Sequence, residues 1–146
     1  MIDHVWSVLC SHAVIDRDTN NVSIHNVLEQ LNVVGEPAPD LAIPIAFEVV
    51  TLWARTTPDI AAQGTERVTM IDPQENSTTL STLKINLAET ERTRHRVIGR
   101  GLPASQPGRY RFRVDMQLEG EIEWRQVAVV PLTVVFVSDA DNPVSS

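Results

Sequence analysis

Short runs rich in Val, Ile, Leu, Thr and aromatic residues recur along the whole chain, each closed by Pro, Gly, Asp or Asn, and helical periodicity is nearly absent. The first run, about His4 to Val14, places Trp6, Val8, Cys10 and Val14 on one face and Val5, Leu9 and Ala13 on the other. Such a strand is covered on both sides. The segment from Asp16 to Asn21 reads as a turn, because Asp and Asn bond their own backbone and accept positive φ. A second strand, Val22 to Val34, changes phase from Val22 and Ile24 to Val27, Leu31 and Val33, which predicts a β-bulge near Asn26. Together these segments predict a long hairpin.

A break at 35–40 leads into a strand from Ile43 to Arg55, where Ile45, Phe47, Val49 and Thr51 alternate with Ala46, Glu48, Val50 and Leu52. A loop over 57–64, a short strand from Arg67 to Ile71 and a polar stretch over 74–78 follow. Leu83, Ile85 and Leu87 alternate cleanly, and Arg94 to Arg100 is a more polar strand. After the Pro107-Gly108 turn, Tyr110, Phe112, Val114, Met116 and Leu118 form an inward row against an outward row of Arg109, Arg111, Arg113, Asp115 and Gln117. A three-residue loop at 119–121 sets Leu118 opposite Ile122, Met116 opposite Trp124 and Asp115 opposite Arg125. Pro131 interrupts the last run, Val127 to Val137, and belongs at an edge or a bulge. The expectation is a single all-β domain over 1–138, an antiparallel β-sandwich of eight or nine strands with an immunoglobulin-like or C2-like arrangement, followed by a polar tail over 139–146.

Composition supports this picture and narrows the chemistry. The 146 residues suffice for one domain, and 42% apolar with 21% charged residues is ordinary globular usage. No apolar run approaches a bilayer span, and the acidic Met1-Ile2-Asp3-His4 start does not read as a signal peptide, so a cytoplasmic location without membrane contact is expected. A net charge of −7 and a pI near 5.0 make the chain a poor match to nucleic acid. The cations are nearly all arginine, and seven of the twelve lie between Arg92 and Arg113.

Two stretches carry a resemblance. Val5-Trp6-Ser7-Val8-Leu9-Cys10, the Asp/Asn turn and Val22 to Gln30 resemble the opening hairpin of a family of uncharacterised bacterial β-sandwich proteins. Gly101-Leu102-Pro103 followed by Pro107-Gly108-Arg109-Tyr110-Arg111-Phe112 is similar to a later segment of that family. The resemblance implies the fold and no activity.

Candidate chemistry is sparse. Cys10, mid-strand in an apolar row, reads as a small buried hydrophobe rather than a nucleophile. His4 and His12 are too far apart on one strand to share a metal, whereas His12 could meet His25 across the first hairpin; no spacing among these and His95 matches a zinc motif. Asp16, Asp18 and Asn20 resemble the opening of a calcium loop, but Asn21 stands where glycine is usual and Val27 where a bidentate Glu belongs. Asp139, Asp141 and Asn142 could complete such a site only if the C-terminus lies at the same end. The turn's own hydrogen bonding is the simpler reading.

Arg92, Arg94 and Arg96 share one parity, as do Arg109, Arg111 and Arg113. On neighbouring strands the two triplets would form one anion- or partner-binding face. Glu89, Glu91, Asp115, Glu119, Glu121 and Glu123 can instead neutralise them. No phosphate-cradling loop, nucleophile elbow or cofactor fingerprint is present. The functional expectation is therefore a non-catalytic interaction or accessory module, with a protein partner or homo-oligomer and no cofactor. A ligand- or cation-binding module using the end loops is the alternative, followed by an unrecognised enzyme.

Overall fold

The computed structural model describes residues 1–138, which form eleven strands: β1 Ile2–Ile15, β2 Val22–Val27, β3 Gln30–Val34, β4 Ala42–Ile43, β5 Phe47–Arg55, β6 Ala62–Ile71, β7 Ser77–Leu87, β8 Arg92–Gly99, β9 Leu102–Pro103, β10 Gly108–Leu118 and β11 Arg125–Val137. One sheet runs β2-β1-β5-β8, the second runs β3-β11-β10-β6-β7, and β4 pairs with β9 alone. Among the described residues no helix is long and apolar enough to cross a membrane.

The two large sheets pack face to face. Leu9, Val49, Trp53 and Val97 of the first meet Val68, Ile85, Phe112, Val114, Leu132 and Val134 of the second in one buried cluster. Alternation supplies this core directly. Tyr110, Phe112, Val114 and Met116 are all buried, as their row requires. Phe47 lies 5.8 Å from Phe112 between ring centroids, and its ring covers its cross-strand partner Gly99, where a Cβ would come within 2.3 Å of the ring.

Several expectations need correction. The strand count is eleven among the described residues, and β3 runs parallel to β11, so the second sheet is mixed rather than antiparallel throughout. The segment from Val22 to Val34 is two strands in different sheets. Asn26 adopts a left-handed φ of 57°, Leu28 donates its N–H to the Leu9 carbonyl at 2.9 Å, and the chain then crosses to β11. The phase change in the sequence is therefore a sheet crossing, which exposed polar residues at 29–30 do not announce.

Pro44 separates β4 from β5, and β6 and β7 extend into stretches whose polarity suggested loops. The connection after β10 is six residues long, with Met116 opposite Arg125 and Asp115 opposite Gln126. Trp124 leaves the predicted inner row because the Arg67 guanidinium lies 4.1 Å over its ring; Ile122 is 91% exposed. Pro131 behaves as expected. Thr133 donates outward to the Glu29 carbonyl, so Pro131, two residues earlier, turns its nitrogen to the same side, below the reach of β3.

The Gly99–Phe47 contact gives a test of the core. Gly99→Ala is expected to lower stability by about 1–3 kcal/mol in urea denaturation, because the added methyl must displace a ring packed on Phe112. An unchanged midpoint would show that the ring moves aside freely.

Candidate functional site

The outer face of the first sheet carries the most unusual local structure. β1 pairs with β5 only as far as Cys10; beyond it the β1–β2 hairpin bends across the outer face of its own sheet as an arm. Among the described residues no strand lies beside Ala13 on the edge facing away from β2. Instead its N–H donates to Glu48 Oε2 at 2.7 Å and its carbonyl accepts from Arg96 at 3.2 Å, while Arg96 Nε donates to Glu48 Oε1 at 2.6 Å. The ion pair thus satisfies the backbone groups that a neighbouring strand would otherwise satisfy. Cys10, Ala13 and Val50 are buried beneath the arm, with Trp6, Val8, Val22 and Ile24 around them. β1 is covered on both sides at Leu9 and Cys10, which pack into the inter-sheet core and the outer cluster, but Val5 and Val14 are each 48% exposed and Ala13 joins Cys10 rather than Leu9.

The arm tip rests on β8. Arg94 Nη2 donates to the Asn20 carbonyl at 2.7 Å. Between tip and sheet lies a groove of about 590 Å³ with Trp6, Leu52 and Val22 as apolar lining and Asn20, Asn21, Thr90, Thr93, Arg92 and Arg94 as polar lining. Trp6, Leu52 and Arg94 form one cross-strand row. Arg94 Nε is buried without a hydrogen-bond partner among the described residues, and Arg92 is exposed. Among the described residues no carboxylate lines this groove, whereas three other clefts each include a glutamate.

The predicted site residues are redistributed. Arg92, Arg94 and Arg96 lie on β8 of the first sheet, and Arg109, Arg111 and Arg113 lie on β10 of the second, so the two triplets do not form one face. Arg111 is paired with Glu75, and Arg113 bonds Asp115 at 3.0 Å, which also accepts from Arg67 at 3.2 Å. The neutralising acids are mostly not those near in sequence: Glu48 and Glu75 come from distant strands and turns.

In the Asp16 turn, Asp16 Oδ1 accepts from the N–H groups of Asp18 and Thr19 at 2.8 and 2.9 Å, and these bonds, Thr19 first, hold its carboxyl below the usual range. Asn20 has φ 60° and already faces the Arg94 guanidinium through its carbonyl. Among the described residues, no group of three or more His, Cys, Asp or Glu is placed to hold a metal. Asp139, Asp141 and Asn142 lie outside the described residues.

Between the sheets a polar network went unread in the sequence. Glu66 is 1% exposed; its Oε1 accepts from Trp53 Nε1 at 2.9 Å and its Oε2 lies 3.2 Å from His95 Nδ1. His4 meets the Trp53 ring edge-on at 5.5 Å and bonds Ser7, which bonds Thr51. Burial lowers the His4 pKa against the attraction of Glu66. Glu66 stands between Thr65 and Arg67 in a polar stretch, with only Val68 and Met70 following in its own parity, so the sequence carries no signal that points to this network. Cys10 is fully buried, and burial followed by Glu48 pushes its thiol up, against a smaller opposite pull from Arg96, so it has no nucleophile's environment.

No family model matches the sequence, and no curated protein matches it. Among solved structures the chain is similar to a family 123 glycoside hydrolase from Clostridium perfringens, described for glycolipid glycan hydrolysis, with a TM-score of 0.49 and 7% identity over 94% of this chain and 28% of that one. The chain therefore spans under a third of that enzyme, and neither residues nor activity carry across.

The clamp on Ala13 predicts an acid-sensitive fold. For Glu48 desolvation raises the pKa, but the bonds from Arg96 and Ala13 outweigh it and leave it below its ordinary 4.5. Its contribution is thus complete above pH 4.5 and lost as the pH falls through the lowered folded value. His4 adds the same sign earlier: its lowered pKa makes the unfolded chain the better proton acceptor below pH 6.5. Glu48→Gln is expected to cost about 1.5–3 kcal/mol at pH 7. That difference should shrink in melting curves taken below about pH 4; a constant gap down to pH 3 would contradict the clamp.

Proposed function

We propose that the protein is a non-catalytic binding module that takes a carboxylate-bearing segment of a partner protein into the groove between arm and sheet. One observation carries this reading: in a chain of net charge −7, the arm and β8 build a groove with two arginines and, among the described residues, no acid in its lining. Trp6, Leu52 and Val22 offer apolar contact to a ligand's side chains, and Arg92 and Arg94 offer bidentate donors to its carboxylates. The groove joins parts of two surfaces that the sequence left separate, the Asp16–Asn21 turn and the Arg92–Arg96 row.

A binding rather than catalytic role is favoured by the condition of the buried acids. Glu48, Glu66 and Asp115 each hold partners within the fold. An immunoglobulin-like arrangement belongs to the same proposal. It is supported by β3 running parallel to the last strand, β11, and by Tyr110, whose hydroxyl donates to the Gln106 carbonyl at 2.8 Å near the start of β10. Kinship with the uncharacterised bacterial β-sandwich family resembled by the N-terminal hairpin is also part of this reading.

The test uses glutamate- and aspartate-rich peptides at low salt. Binding to the intact chain is expected to fall with added salt, and Arg92→Glu is expected to weaken it at least ~10-fold, or about 1.4 kcal/mol. Arg92 is exposed, so its circular dichroism should be unchanged. Equal binding by Arg92→Glu, or no acidic peptide bound at low salt, would overturn the reading.

A further inference from the structure

The arm carries a second feature that the groove does not use. His12 on β1 and His25 on β2 are direct cross-strand partners. Their rings stack with centroids 4.6 Å apart and planes 6° from parallel, and both residues are exposed. Among the described residues neither ring is hydrogen-bonded to the protein's own polar groups, so their nitrogens are open to a ligand from solvent.

We propose that His12 and His25 form a two-imidazole chelate for a late first-row divalent metal ion, Zn2+ or Ni2+. Neutral imidazole is a preferred ligand for these ions. Zinc–nitrogen bonds of about 2.0–2.1 Å place two nitrogens of a tetrahedral ion roughly 3.3 Å apart, a spacing that stacked rings reach by tilting about their side-chain torsions. The backbone already supplies the alignment. The next rung, between this pair and the Cys10–Val27 pair, is pinned by the bond from Asn26 Nδ2 to Ser11 Oγ at 2.7 Å, and Asn26 itself holds a left-handed φ of 57°.

No third His, Cys, Asp or Glu joins the pair among the described residues, so water or an external group fills the remaining coordination positions. Such a site binds more weakly than a closed three- or four-ligand one. Its effect on the chain is a crosslink between β1 and β2, close to where Glu48 and Arg96 hold Ala13. Metal binding therefore stiffens the arm whose tip borders the groove. The site itself does not depend on what the groove binds.

The experiment is calorimetric titration of the full chain with Zn2+ alone, beside His12→Gln, His25→Gln and the double variant. Binding of one ion tighter than ~100 µM, with a raised melting temperature, is expected for the intact chain. Each single variant is expected to weaken it at least ~10-fold and the double variant to abolish it. Because both side chains are exposed, the variants should keep the parent's melting temperature without metal. Unchanged zinc binding by the double variant would place the ion elsewhere and overturn the proposal, as would absence of heat from the intact chain at millimolar Zn2+.

Discussion

Ala13 presents both of its backbone groups to a side-chain ion pair rather than to a strand, and the outer face of the first sheet depends on that substitution. β5 begins at Phe47, so β1 runs past the end of its partner. An unpartnered strand edge there would leave donors and acceptors exposed for pairing with another chain. Glu48 and Arg96 close the edge, and in doing so they bend the hairpin across the sheet. The bend buries Cys10 and Val50, places Asn20 on Arg94 and creates the groove over Trp6 and Leu52. Desolvating Glu48 opposes this arrangement; two short bonds to its oxygens offset the cost.

Glu66 does for the interior what Glu48 does for the outer face. It joins the sheets through Trp53, and it fixes the indole's orientation where an apolar residue would leave the ring free to slide. His95 beside its other oxygen and His4 crossing the indole at a steep angle make this end of the core polar, while the other end is built on the contact between Phe47 and Phe112. The two ends are therefore specified by different forces. Directional bonds set the register at one, and close packing on Gly99 sets it at the other.

What the sequence disclosed follows this division. Alternation exposed the rows that pack against the opposite sheet, so Tyr110 to Met116 and Phe47 to Thr51 were legible, as was the edge position of Pro131. Positions governed by side chains reaching across strands were not. The arm's bend leaves no periodic mark, because it is made by Glu48 and Arg96, which are 48 residues apart in sequence. The crossing between β2 and β3 likewise lies in two residues without pattern, Leu28 and Glu29. Arg92 and Arg109 share a parity with their neighbours, but parity says nothing about which sheet a strand joins, and the two rows separated for that reason.

The arginines of β8 show how one row can hold different roles. Arg96 is committed to Glu48 and Ala13, and Arg94 is half committed, with one nitrogen on Asn20 and its Nε without a partner. Arg92, at the open end, is exposed. The commitment falls along the row in the direction of the groove. On the reading proposed above, a carboxylate ligand would meet the least occupied guanidinium first and reach Arg94 next to the contact that holds the arm tip. The nitrogen that holds the arm tip and the unpartnered Nε belong to one guanidinium, so the groove's lining and the arm's anchor share a side chain.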